Sequence, residues 1–205
     1  KPGELLRRQL GNFGLNQVYF TNTVLCRSCE YRIDADGNPV VWGGVQKIDD
    51  KPPLVDQVQA CRPRLLEEIY LVDPLLIIAA GGPAAETLLG GHVAISKLSG
   101  EVREMEVPGR SHEAVLTDTK KAWRRKVRKQ WVVPTRPFPV KYPVLLMVHP
   151  AYALRFIDDR SYNSPMYKFT EALGRARDII EMREKSYGGK IWQSREELDE
   201  CGDDS

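Results

Sequence analysis

The chain has 205 residues, of which 42% are hydrophobic and 28% charged, and its formal net charge is +2. These values are typical of one globular domain with enough chain to bury a core, and they exclude fibrous and disordered classes. No run approaches the roughly 18 apolar residues of a membrane span. Four cysteines do not suggest a disulfide-rich secreted protein. We therefore expect a cytoplasmic protein without a membrane partner.

Hydrophobic periodicity predicts helices and β-branched or aromatic runs predict strands, in alternation along the chain. The predicted helices span residues 3–14, 54–70, 84–89, 150–155 and 163–187. The predicted strands span residues 17–25, 75–80, 102–107 and 143–148. We expect Pro63 to break the second helix near Cys61, and a turn signal around Gly37 predicts a hairpin at residues 32–42. The alternation favours an α/β protein with a parallel sheet.

A basic run at residues 120–129 contains Trp123 and is followed by Trp131. One interpretation is a solvated helix face. The other is a binding surface for a nucleic-acid backbone, on which tryptophan could stack with unpaired bases. The arginines of the run are Arg124, Arg125 and Arg128.

His149 stands between an apolar strand and a helix that begins at Pro150. In an open parallel sheet, functional groups lie just beyond the carboxyl ends of the strands. Proline suits the first helical position, where its missing N–H would have no partner. His149 is therefore expected at the rim of the sheet, either as a catalytic group that favours developing negative charge or as an ordinary helix cap.

Strand ends near Asn22, Gly81 and His149 should point to the same edge of the sheet. A carboxamide has an acceptor and two donors, which suits Asn22 for reading the edge of an amide-like ring, although a structural role is the simpler explanation. The main-chain amides at Gly81 could bind a phosphate, or the glycine could serve a tight strand-to-helix turn.

Four motifs occur along the chain in a fixed order. They are Tyr19-Phe-Thr-Asn22-Thr-Val-Leu-Cys26-Arg27, Cys61-Arg-Pro63-Arg-Leu65, Ile77-Ile-Ala-Ala-Gly81 with Leu88-Leu-Gly90, and His149-Pro-Ala-Tyr-Ala-Leu-Arg155. Together they resemble the iron–sulfur uracil-DNA glycosylases of the family 4 and 5 branch, and the likeness covers most of the chain apart from inserts. The resemblance implies a three-layer α/β/α fold with a small, mostly parallel central sheet.

The resemblance also implies roles for individual residues in excising uracil from DNA after base flipping. Asn22 would hydrogen-bond the Watson–Crick edge of uracil, Gly81 would line the base site, and His149 would stabilise negative charge on the departing base. The loop that enters the DNA would be formed by Tyr152, Ala153, Leu154 and Arg155. The partner would be uracil-containing DNA, bound by a monomer.

Cys26 and Cys61 match two of the four cysteines that hold a 4Fe-4S cluster in the family. A rearranged set with Cys29 and Cys201 is conceivable, because four thiolates are the usual requirement, and zinc is a further possibility. The Gly-Glu-Ala-Pro-Gly-like motif that positions the attacking water in the family does not occur in this sequence. We therefore expect the natural protein to have a preceding segment, unless a substitute strand takes its place.

Relative to the family pattern, the chain is expected to form one domain over residues 1–190, with inserts at about 30–53 and 111–142 and an acidic tail at 191–205. The first functional hypothesis is a uracil-DNA glycosylase. The second is a catalytically impaired protein of the same fold that binds DNA or a replication partner. The third, a metal-thiolate nucleic-acid-binding module, rests only on the spacing of Cys26 and Cys29.

Overall fold

The computed structural model describes residues 1–25, 29–108, 139–159 and 161–186. The helices in these ranges are α1 (Pro2–Asn12), α2 (Val55–Val72), α3 (Gly82–Leu89), α4 (Ile95–Leu98), α5 (Pro150–Leu154) and α6 (Pro165–Ser186). The strands are β1 (Cys29–Tyr31), β2 (Val41–Trp42), β3 (Val45–Gln46), β4 (Ile48–Asp50), β5 (Ile77–Ala80), β6 (Val102–Val107) and β7 (Val140–Met147). In these described ranges no helix is both long enough and apolar enough to cross a membrane.

The central sheet has three strands in the order β5-β7-β6. β5 runs parallel to β7, with Ala80 opposite Met147. β6 runs antiparallel to β7, with Val107 opposite Val140. The sheet is therefore mixed, and its parallel pair brings the carboxyl ends of β5 and β7 to the same edge.

Both faces of β7 are buried, and its alternate side chains serve two different cores. Tyr142, Val144 and Leu146 pack against α2 and α3, together with residues of β5 and β6. Leu145 and Met147 pack on the opposite face against α1, α5 and α6. Because successive side chains of a strand point to opposite faces, one strand joins the two layers of helices. The result is the expected three-layer α/β/α fold around a small sheet.

Residues 17–25 do not form the strand that their composition predicts. The described central sheet consists of β5, β7 and β6, and residues 17–25 are not part of it. Tyr19 and Phe20 are largely exposed. β-Branched and aromatic residues favour a strand only where a pleated, half-buried surface receives them, and this segment instead runs as an irregular chain beside α2.

Pro63 does not break the second helix, because α2 is continuous from Val55 to Val72. Proline removes the hydrogen bond to the carbonyl four residues earlier, here that of Gln59. Both residues are exposed, so water can bind that carbonyl, while the buried Leu65 and Ile69 hold the helix against the sheet.

The predicted hairpin insertion is present as two small antiparallel pairs, β1 with β4 and β2 with β3. Its turn is closed by Asp34, whose Oδ1 accepts hydrogen bonds from the main-chain N–H groups of Asp36 and Asn38. Arg32 pairs with Asp49 through a forked contact. Most of the second predicted insertion and the whole acidic tail lie outside the described residues.

Candidate active site

His149 lies two residues after the end of β7 and caps α5. Its backbone is extended, with φ −65° and ψ 137°, and its Nδ1 accepts a hydrogen bond from the main-chain N–H of Ala151 at 3.1 Å. A ring nitrogen that accepts cannot carry the proton, so the proton of the neutral imidazole is on Nε2. The helix cap therefore fixes both the orientation and the tautomer of this side chain.

Burial lowers the pKa of His149 below the ordinary histidine value. The charged form loses more hydration energy than the neutral form where the chain covers part of the ring. The side chain is nonetheless exposed to solvent. At neutral pH the site thus presents a neutral Nε2–H donor to an incoming ligand.

Gly81 follows β5 and lies against His149. Its main-chain N–H donates to the carbonyl of Met147 at 2.8 Å, and its φ of +96° is in the region that favours glycine. A Cβ at this position would lie 3.1 Å from the Cβ of His149 and 3.4 Å from its Cδ2. These are the features of a tight strand-to-helix turn. Binding of a phosphate or of the base at Gly81 stays a prediction.

Ser99 contacts the main chain just after the end of β7. This contact was not predicted from the sequence. Its Oγ accepts a hydrogen bond from the main-chain N–H of Val148 at 3.3 Å. The N–H of Gly100 donates to the carbonyl of Leu146 at 2.7 Å. A serine in a loop carries no sequence signal for this contact, because its partner is a main-chain group of a strand almost 50 residues away.

Asn22 lies on the irregular segment beside α2, so it is not at the end of a strand as predicted. Its main-chain carbonyl accepts a hydrogen bond from Nη2 of Arg64 at 2.6 Å. The residue is exposed, and its carboxamide makes no hydrogen bond to another residue in the part of the chain that the structure describes. Within those ranges, the carboxamide is available to a ligand.

The four residues predicted to enter DNA lie on or beside α5. Tyr152 and Arg155 are exposed, and Leu154 is half-buried against the core. Ala153 is fully buried among α1 and α6 residues, so its side chain packs in the core and does not reach the surface. DNA contact by Tyr152, Leu154 and Arg155 stays a prediction.

Of the four predicted metal ligands, Cys29 and Cys61 lie within the described residues. Cys61 is half-buried on α2, and Cys29 is exposed on β1. Cys26 and Cys201 lie outside the described residues, as do Arg124, Arg125 and Arg128. Among the residues that the structure describes, no group of three or more His, Cys, Asp or Glu side chains could hold a metal ion. The described residues alone do not fit a four-thiolate cluster.

The fold and the site together define an α/β protein with a neutral histidine at the carboxyl edge of a parallel strand pair. The sequence model of the Uracil DNA glycosylase superfamily matches residues 1–173. The chain belongs to this superfamily. The match includes β5, β7 and α5, and with them Gly81 and His149.

Proposed function

We propose that the protein is a uracil-DNA glycosylase, which flips uracil out of DNA and hydrolyses its N-glycosidic bond. Membership of the superfamily supports a glycosylase-type function with DNA as substrate. The observation that carries the proposal is the arrangement of His149, whose Nδ1 is occupied by the Ala151 N–H. This leaves Nε2–H as a donor at the edge of the sheet.

Negative charge develops on uracil as the bond between the sugar carbon and the ring nitrogen breaks. A fixed donor aimed at that charge stabilises the transition state more than the ground state. One such donor is worth roughly 3–4 kcal/mol. The neutral imidazole donates from Nε2–H, and the hydrogen bond that Nδ1 accepts from Ala151 keeps the proton on Nε2.

Asn22 would read the base in this proposal. Its carboxamide can accept from N3–H of uracil and donate to O4, whereas cytosine presents an acceptor and a donor in the reverse places. A site built to hydrogen-bond one pattern rejects the other because buried polar groups are then left without partners. The role is supported by the exposure of Asn22 and by a carboxamide that no other described residue engages.

The proposal is tested by uracil release from a labelled single-stranded oligonucleotide with one uracil, using the full natural protein. His149→Ala should lower the rate about 10²–10³-fold while DNA affinity is kept. The matched control is His92→Ala, because His92 is 86% exposed and pairs with Glu86 at 2.9 Å. Equal rates for His149→Ala and the unaltered protein would remove His149 from the mechanism.

A second outcome separates the two leading hypotheses. If the unaltered protein binds the oligonucleotide but releases no uracil, it is a DNA-binding protein of glycosylase fold.

Selectivity for uracil over cytosine is measured with the matching cytosine oligonucleotide. Asn22→Asp should relax the preference for uracil, and unchanged selectivity would make Asn22 a structural residue.

Cluster binding by Cys26 and Cys61 is a separate part of the proposal, supported by the family motifs that contain these cysteines. In the iron–sulfur branch that these motifs resemble, a 4Fe-4S cluster is held by four thiolates. No step of the mechanism above depends on it. Protein purified without oxygen should contain iron and sulfide and be brown, and colourless protein free of both would contradict this assignment.

A further inference from the structure

Two side chains of α2 bind three consecutive residues of the irregular segment that contains Asn22. Nη2 of Arg64 donates to the carbonyl of Asn22 at 2.6 Å and lies 3.4 Å from that of Thr23. Nη1 of the same arginine donates to Oγ1 of Thr21 at 3.2 Å. One guanidinium therefore contacts the main-chain carbonyls that follow the Asn22 side chain and the hydroxyl of the residue before it.

Glu68 completes a closed set of contacts, which we call the α2 clamp (Thr21, Arg64 and Glu68). Oγ1 of Thr21 donates to Oε2 of Glu68 at 2.6 Å, and Arg64 pairs with Oε1 of Glu68 at 2.7 Å. Arg64 and Glu68 are one helical turn apart, and only about a quarter of each side chain is exposed. Charge-assisted hydrogen bonds in such a partly buried place are stronger than neutral or fully exposed ones.

The titration of Glu68 agrees with this arrangement. Burial alone raises its pKa, but hydrogen bonds from Thr21 and Arg64 and the charge of Arg64 outweigh burial and lower it. The carboxylate therefore stays charged at neutral pH and keeps both partners.

The α2 clamp is the main polar attachment of the segment among the described residues. Within those residues, the main chain of 17–25 makes no hydrogen bond to another main-chain group, so no sheet or helix fixes its course. Nearby, the guanidinium of Arg7 stacks 5.5 Å from the ring centre of Phe20. Without the clamp, residues 21–23 would be free to shift relative to α2.

We propose that Arg64 and Glu68 are positioning residues that hold the Asn22 carboxamide where it meets the flipped base, an inference that rests on the function proposed above. The clamp binds the main chain of Asn22 and does not engage its side chain. That is the arrangement expected of a support for a recognition residue, because a shift of about 1 Å at a reacting site can lower the rate about a hundredfold.

The variants are chosen to remove the clamp while preserving packing. Arg64→Met keeps the aliphatic stem and removes the donors, and Thr21→Val keeps the shape and removes the hydroxyl. Thr21→Ser restores the hydroxyl and serves as the conservative rescue. The matched control is Arg177→Met, since Arg177 also lies four residues before a glutamate on a helix, 3.6 Å from Glu181.

We expect Arg64→Met and Thr21→Val to lower kcat/KM for the uracil oligonucleotide at least about tenfold, and Thr21→Ser and Arg177→Met to stay near the unaltered protein. The decisive readout is a double-mutant cycle. In an Asn22→Ala background, Arg64→Met should have little further effect on kcat/KM. Melting temperature and affinity for uracil-free DNA are measured for every variant, and Thr21→Val is used if Arg64→Met does not fold.

Each other outcome overturns the inference in a recognisable way. If Arg64→Met lowers kcat/KM equally with and without Asn22, the clamp serves general stability. If Arg64→Met and Thr21→Val are as active as the unaltered protein, the clamp does not position Asn22, and the glycosylase function stands. If the unaltered protein releases no uracil, the proposed function fails first and the inference falls with it.

Discussion

Gly81 lies so close to His149 that a Cβ on the glycine would come within 3.1 Å of the Cβ of the histidine. The two residues follow neighbouring strands, and the last residues of these strands, Ala80 and Met147, are register partners. The β5–β7 pairing therefore sets the distance between them. The place of the imidazole depends on the absence of a side chain at position 81.

Replacing Gly81 with alanine should damage the site in two ways. A backbone with φ +96° and ψ 166° costs an alanine about 1–3 kcal/mol, and the new methyl group pushes the imidazole away. We expect kcat/KM for uracil release to fall about 10–100-fold. The control is Gly90→Ala at the other end of α3, where φ is +73° but nothing lies within 4 Å of the new Cβ. Similar losses in both variants would show that strain alone is responsible.

The pH dependence of the reaction should follow the neutral form of His149. Protonation places a hydrogen on Nδ1 and breaks its hydrogen bond with the Ala151 N–H. Because burial lowers the pKa, activity should persist below the ordinary histidine value of about 6.5 and fall at more acid pH. A pH profile of kcat/KM measures this, and an acid limb centred above about 6.5 would contradict it.

The same shift has a consequence for folding. The unfolded chain binds the proton at a higher pH than the folded chain does, so it gains protons first as the pH falls. The contribution of His149 to stability is therefore complete above about pH 6.5 and declines below it. Urea unfolding at several pH values should show a smaller decline below about pH 6.5 in His149→Gln than in the unaltered protein.

Tyr142 ties the sheet to the end of α2. Its side chain is only 2% exposed, and its hydroxyl donates to Oδ1 of Asp73 at 2.9 Å. Tyr142→Phe should lower the free energy of unfolding by about 1 kcal/mol, with little change in uracil release. The control is Tyr31→Phe, since Tyr31 is 65% exposed. A large loss of activity at unchanged stability would show a functional role for Tyr142.

The basic run should govern the salt dependence of DNA binding if it binds phosphates. Neutralising Arg124, Arg125 and Arg128 together should reduce the slope of log affinity against log salt by about 0.9 for each phosphate that the variant no longer neutralises. An unaltered slope would identify the run as a solvated surface. Binding to a uracil-free duplex at several salt concentrations separates this effect from base recognition.

Much of the fold could be predicted because local pattern and final packing agree. Residues 102–107 alternate in sequence and form β6 over the same range. The apolar run before His149, residues 143–148, forms the carboxyl-terminal part of β7 and ends one residue beyond it. The direction of β6 could not be predicted in this way. Alternating strands and helices favour a parallel sheet, but direction is decided by the connection between strands and not by the strand itself.

The site was predictable where a residue is placed by its own strand or helix. The position of His149 could be predicted from the apolar strand before it and from Pro150 after it. The position of Gly81 could be predicted from the strand before it and the helix after it. The surroundings of Asn22 were not predictable, because they depend on Arg64 and Glu68, more than 40 residues away. Such contacts leave no periodic signal in the sequence.

β7 has a further consequence for how the molecule moves. Its side chains are shared by two cores, so neither layer of helices can open without exposing apolar surface of this strand. Its amides should consequently exchange with solvent only through global unfolding, as the most protected part of a domain does. His149 therefore comes two residues after a strongly protected strand. The Asn22 segment, which among the described residues is attached by side-chain contacts and by no main-chain hydrogen bond, should release and re-form locally.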